Sequence, residues 1–164
     1  MKNVRQLTGQ AKDAIRVAKT AIELNPNFAE AYVVLGHALV FCGDLEGSLA
    51  ACRTAERGSP RDSRGTWLYS CMGHAYFFRG DYEKALETSK KGLHQDPSLF
   101  GALVVLACTY AQLGRKEEAQ HYVDELLRHI PRYSLRALRK NPMFVAPDLI
   151  EKLIDSMRLA GLPE

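Results

Sequence analysis

Cys71 and His74 stand three residues apart, a spacing that sets a thiol and an imidazole on one side of a helix. His37 lies 37 residues before His74 and Cys108 lies 34 after it, at equivalent places in two further copies of the same motif. Soft sulfur and imidazole ligands on one surface suit zinc, which holds its ligands at about 2.0–2.3 Å. Helices carrying successive copies of a motif lie about 8–10 Å apart, so such side chains bridge two neighbours and hardly three. The recurrence is therefore read as duplication, and no metal or other cofactor is expected. His94, His121 and His129 have no serine or cysteine nucleophile at usable spacing, and the chain has no Gly-rich phosphate loop or HExxH. No catalytic residue is assigned, and the chain is expected not to be an enzyme. Arg128, Arg132, Arg136, Arg139 and Lys140 form a basic stretch without an intervening acid. It is read as a solvated face near helix C-termini, since aromatics are sparse there and the formal charge is only +3. Nucleic acid is not the expected partner.

The elements that position these residues follow from repetition. Gly36-His37-Ala38-Leu39-Val40-Phe41-Cys42-Gly43-Asp44 returns 37 residues on as Gly73-His74-Ala75-Tyr76-Phe77-Phe78-Arg79-Gly80-Asp81, with six of nine positions identical. A third, divergent copy runs from Ala107 to Arg115. Pro26, Pro60, Pro97 and Pro131 recur at intervals of 34, 37 and 34 residues, and Gly43, Gly80 and Gly114 fall midway between them. A proline ends one helix and sets up the next, and a glycine turns left-handed after a helix at little steric cost. Apolar residues in 28–41 and 82–95 follow helical spacing, and no stretch alternates with period two. Each unit reads as helix, glycine turn, helix, proline turn. A fixed period of this length predicts an all-α stacked array, which serves as a surface for holding something.

The 164 residues fit one domain, and 46% hydrophobic with 25% charged residues is ordinary for a globular chain. No apolar run reaches the roughly 18 residues of a membrane span, and Met1 to Gln6 has no apolar signal core. Cys42, Cys52, Cys71 and Cys108 form no CxxC pair and read as reduced thiols of a cytoplasmic protein.

The units resemble tetratricopeptide repeats. The matching positions are Tyr32, Leu35, Gly36, Leu39, Ser48, Ala55 and Pro60 in the first full repeat, and Tyr69, Met72, Gly73, Tyr76, Ala85, Gly92 and Pro97 in the second. In the third they are Leu103, Leu106, Ala107, Tyr110, Ala119, Leu126 and Pro131. Arg61 to Gly65 carries the three-residue insertion of the long interval. The resemblance implies a right-handed α-solenoid in a single domain. Residues 1–27 form a partial repeat, 28–62, 63–98 and 99–132 full repeats, and 133–164 C-terminal capping helices over the open face of the third. The tail, Tyr133 to Arg139, Asn141 to Phe144 and Arg158 to Glu164, resembles the end of bacterial proteins in which a class III adenylate or guanylate cyclase or a winged-helix domain precedes such an array.

In such repeats the first helix of each pair lines a concave groove, here through His37, Phe41, Trp67, Cys71, His74, Phe78, Cys108 and Gln112. The family's clamp for a C-terminal carboxylate needs lysine, asparagine and arginine at several of these places, which this chain lacks. The expectation is an apolar, aromatic groove for a peptide or a partner domain of the same parent protein. Trp67 is read either as a binding anchor or as packing against the 61–65 insertion. The lack of an N-terminal capping element is read as a cut from a longer polypeptide. A second reading is self-association through Val4, Leu7, Ala11, Ile15 and Ala18.

Overall fold

The computed structural model describes the backbone of residues 4–58, 66–140 and 145–164, with side chains from residue 10 onward. The 61–65 insertion and Asn141 to Phe144 lie outside the described residues, as do the side chains of Val4 and Leu7. Among the described residues every regular element is a helix: α1 (Val4–Leu24), α2 (Ala29–Cys42), α3 (Leu45–Gly58), α4 (Thr66–Arg79), α5 (Tyr82–Gln95), α6 (Phe100–Gln112), α7 (Lys116–His129), α8 (Leu135–Arg139) and α9 (Pro147–Leu159).

Local chemistry fixes the boundaries. Gly43 takes φ +88° after α2, letting its own N–H reach the Val40 carbonyl and the Asp44 N–H reach Leu39 at 2.9 Å. These bonds satisfy carbonyls that the helix end leaves bare. Two of the proline turns share a second device: Asn25 and Asp96 each precede a proline, and each side-chain oxygen accepts from the backbone N–H two residues on. Ser134 caps α8 by accepting from Ala137 N–H, and Pro147 opens α9.

Helices α2 and α3, α4 and α5, and α6 and α7 pair, and α2, α4 and α6 pack side by side as an inner layer. Close approach within pairs depends on missing side chains. A Cβ on Gly36 would lie 2.7 Å from Cys52 Sγ and 3.1 Å from Cys71 Sγ, and one on Gly73 would lie 2.5 Å from Ser89 Oγ. Burial across the inner layer is uneven. Every residue of α6 from Gly101 to Tyr110 is buried, whereas α2 buries only Ala31, Gly36, Ala38 and Val40.

The tail accounts for the difference, and it departs from the expected cap. Helix α9 does not continue the stack beyond α7; it packs mainly on α6 and α8 and turns back along the inner layer. Val145 and Ala146 N–H donate to the Phe41 carbonyl at the end of α2, at 3.0 and 3.2 Å. Lys152 Nζ donates to the Phe77 and Phe78 carbonyls at the end of α4, both at 3.2 Å. Gln112 at the end of α6 donates to Ser156 Oγ at 2.8 Å. Thirteen helical residues rise about 20 Å, which matches two steps of about 8–10 Å between adjacent helices. Leu153, Ile154 and Met157 are wholly buried on the face α9 presents to the array. Apolar periodicity required this helix to bury one side; the carbonyl ends of α2 and α4 supply the polar partners that draw it across them.

Helix α1 lies at the N-terminal edge of the array and packs on α2. It runs unbroken from Val4 to Leu24, with no separate partner helix at its start. Ala18 is buried and Ala11 and Ile15 half-buried as α1 packs on α2, so that stripe is already used within the chain.

Candidate binding site

Where α9 leaves the inner layer uncovered, a hollow of about 280 Å³ remains. Helix α2 supplies His37 and Phe41, and α4 supplies Trp67, Ser70 and His74. The start of α6 gives Phe100 and Gly101, and the tail closes the far side with Tyr133, Leu138 and Leu153. The Tyr133 ring meets Phe100 edge-to-face at 5.2 Å, which anchors that wall. Of the hollow's lining Trp67 is 64% exposed, and elsewhere on α2 Val34 is 49% exposed.

The two histidines are held by backbone. His37 Nε2–H donates to the Trp67 carbonyl at 3.0 Å, and His74 Nδ1–H donates to the Ser70 carbonyl at 2.8 Å. A carbonyl only accepts, so each imidazole spends a proton there and keeps its other nitrogen as an acceptor when neutral. Burial pushes both toward the neutral form, against the carbonyl bonds that favour charge. His74, which also feels the charge of His37, is pushed down to about 4. His37 stacks near Phe41 and meets Trp67 edge-on, at centroid distances of 6.4 and 5.9 Å.

Of the residues expected in the groove, the structure brings together His37, Phe41, Trp67 and His74. The other four are corrected. Cys71 is fully buried, with its Sγ 3.2 Å from Cys52 Sγ and 3.4 Å from Ser48 Oγ beneath Gly36. It serves the crossing of α3 and α4. Cys108 is fully buried, with its Sγ 3.9 Å from the Leu153 carbonyl under α9, and burial raises its thiol pKa. Phe78 is only 7% exposed, with Lys152 bound to its carbonyl. Gln112 is exposed but committed to Ser156. Spacing alone could not reveal the covering helix. Leu138 and Leu153 lie too far along the chain for the repeat to place them in the site, and Tyr133 entered the sequence reading only as part of the tail. In the basic stretch Arg128 already pairs with Glu125 at 2.7 Å and Arg139 with Glu164 at 3.7 Å. Among the described residues no three His, Cys, Asp or Glu side chains converge as a metal site, and no helix is long and apolar enough to cross a membrane.

Helix pairs repeated in register, with an inner layer that presents an apolar hollow, define an α-solenoid of the kind built to hold other molecules. The chain belongs to the tetratricopeptide repeat proteins: models described as tetratricopeptide repeat match residues 8–63, 66–89 and 100–131. The array is thus of the class that acts as a scaffold for protein–protein interaction. Among solved structures, MamA is similar at 17% identity and TM-score 0.64, over 98% of this chain and 93% of that one. TTC0263, a thermophilic tetratricopeptide repeat protein of Thermus thermophilus, is similar at 22% identity and TM-score 0.64, covering 96% and 82%. YrrB, a tetratricopeptide repeat protein with an unusual peptide-binding site, is similar at 18% identity and TM-score 0.58, covering 93% and 82%. At these identities the likeness is one of fold. No curated protein matches the chain.

Proposed function

We propose that this chain is a noncatalytic interaction module that receives an apolar peptide segment on the part of its inner layer formed by α2 and the start of α4. The observation that carries this reading is the division of the inner layer. Helix α9 covers the ends of α4 and α6 with fully buried side chains, while Trp67, which lines an apolar hollow, and Val34 on α2 stay exposed. Burying about 1.5–3 kcal/mol of transfer free energy per large apolar side chain holds α9 in place, so the open part is what a partner meets. An exposed tryptophan beside a pocket is the usual composition of a binding anchor. YrrB, with a similar fold, has a peptide-binding site of its own. Peptides selected from a display library should protect α2 and the first turns of α4 in hydrogen exchange and lose binding to Trp67→Ala. Protection confined to α5 and α7 would overturn the reading.

The tail residues from Tyr133 to Arg139 and Arg158 to Glu164 support a further part of the proposal, that the module is the regulatory segment of a larger bacterial signalling protein in the cytoplasm. The reading frame around this segment tests it, and a frame without an effector domain would end it. A second reading, self-association, is favoured by Val17 and Leu24, which are 58% and 83% exposed on α1. Light scattering against concentration tests it, with a mass that stays monomeric as the refuting result.

A further inference from the structure

We propose that the hollow between α2, α4, α6 and the tail is a receptor for one flat aromatic group bearing an N–H or O–H donor. The proposal deepens the reading above and rests on it only for the source of that group, a partner's side chain or a free molecule.

Gly101 sets how closely α6 meets α4 at the hollow. Gly101 occupies the repeat position held by Glu30 in the first full repeat and Trp67 in the second. A Cβ at Gly101 would fall 1.8 Å from Ser70 Oγ and 3.3 Å from His74 Cε1, so any side chain there fills or distorts the space. At this position the second repeat puts its tryptophan toward solvent, whereas the third has only a hydrogen, and Ser70 and His74 of α4 pack against it.

Size and shape then limit the occupant. About 280 Å³ equals the liquid volume of about nine waters and sits just under the range of drug-sized ligand pockets. That suits one or two fused rings. Phe41, Trp67, Phe100 and Tyr133 offer faces and edges to a flat ring. Water in a hollow lined this way makes few hydrogen bonds, and its release favours binding.

Polarity supplies the remaining requirement. Each imidazole has committed an N–H to a carbonyl, leaving the other nitrogen as an acceptor on a side chain that lines the hollow. Among the described residues no Asp, Glu, Lys or Arg lines it, so a charged occupant would be buried without a partner. A group that stacks and donates once, as an indole or a phenol does, meets both demands.

Calorimetric titration with indole and with N-methylindole tests this directly, with imidazole nitrogen chemical shifts as a second readout. Indole should saturate the protein, move the His37 or His74 nitrogen resonances, and bind roughly tenfold more tightly than N-methylindole, the worth of one hydrogen bond. Phenylalanine in place of whichever imidazole moves, His37→Phe or His74→Phe, should erase that preference, and Gly101→Ala, at the wall of the hollow, should abolish binding. If one of these two variants fails to fold, the other still decides. Equal binding of the two indoles, or none at millimolar concentration, overturns the proposal. A second arm uses a selected peptide with and without its tryptophan replaced by leucine. Loss of binding on replacement identifies the source as a partner side chain. Indole binding with no peptide binding keeps the receptor and defeats the interaction reading. Peptide binding indifferent to the replacement keeps the interaction reading and, where indole binds with the expected preference, assigns the receptor to a free molecule.

Discussion

Replacing His74 by phenylalanine keeps a flat ring beside Phe78, 6.2 Å away, and removes a group whose titration the fold displaces strongly. Burial lowers its pKa from 6.5 to about 4. Below about pH 6.5 the unfolded chain takes up a proton that the folded chain refuses. The native state is therefore penalised as pH falls, progressively down to about 4 and no further below it. At about 1.4 kcal/mol per pH unit, the gap is worth about 3 kcal/mol, fully present above pH 6.5 and lost by about pH 4. Against a typical stability of about 5–15 kcal/mol this is a large fraction. His37 is lowered in the same sense, and it remains in the variant together with the carboxylates, so subtraction isolates His74. Urea unfolding of both proteins at about pH 7 and about pH 4 should show the wild type losing about 3 kcal/mol more than His74→Phe. A difference that stays constant with pH, or a His74 resonance that titrates near 6.5, would refute the reasoning.

Other outcomes follow from the packing. Lys152→Met removes two bonds to the carbonyl end of α4 and a cation 5.1 Å from the Phe77 ring; it should cost about 2 kcal/mol and speed hydrogen exchange in α9 first. Ser89 Oγ is buried with no partner among the described residues, so Ser89→Ala should raise stability by about 1 kcal/mol in urea unfolding. Gly73→Ala should destabilise when Ser89 is present and become neutral or favourable once it is alanine, a coupling of about 1 kcal/mol or more in a double-mutant cycle. Trp67→Ala should leave thermal stability within about 0.5 kcal/mol while Phe78→Ala costs about 3 kcal/mol, because one ring is in solvent and the other in the core.

The helix pairs were legible because their punctuation has a local cause. A glycine that must turn left-handed and a proline that lacks an N–H act within a few residues, so Gly43, Gly80 and Pro97 could be read without knowing the fold. Gly36 and Gly73 at the helix crossings were legible through their recurrence. The site was half legible. His37, Phe41, Trp67 and His74 came from the repeat register, which places the first helix of each pair on the inner layer. The same register misplaced Cys71, which turns to the α3 crossing against Cys52 and Ser48, and Cys108, because it describes one repeat and is silent about the tail that lies on it. Leu149, Leu153, Ile154, Met157 and Leu159 have the spacing of a helix with one side to bury, but Leu159, at the last turn, stays 62% exposed. Which surface that helix meets depends on carbonyls at Phe41, Phe77 and Phe78, backbone atoms that no side-chain pattern encodes. Gly101 became informative only when set against Trp67 and Glu30.

A stack whose units touch only their neighbours behaves as a spring, free to open or tighten its curvature a little at every joint. Helix α9 is a stiff rod fastened near its start to α2, at its middle to α4 and near its end to α6. It spans the arc as a chord, and a chord of fixed length sets the arc's radius. This array cannot wrap a bulky partner by flexing, so it must meet whatever it holds at a curvature chosen in advance. Because the rod follows the repeats along the chain, the spring is set only after they have been made.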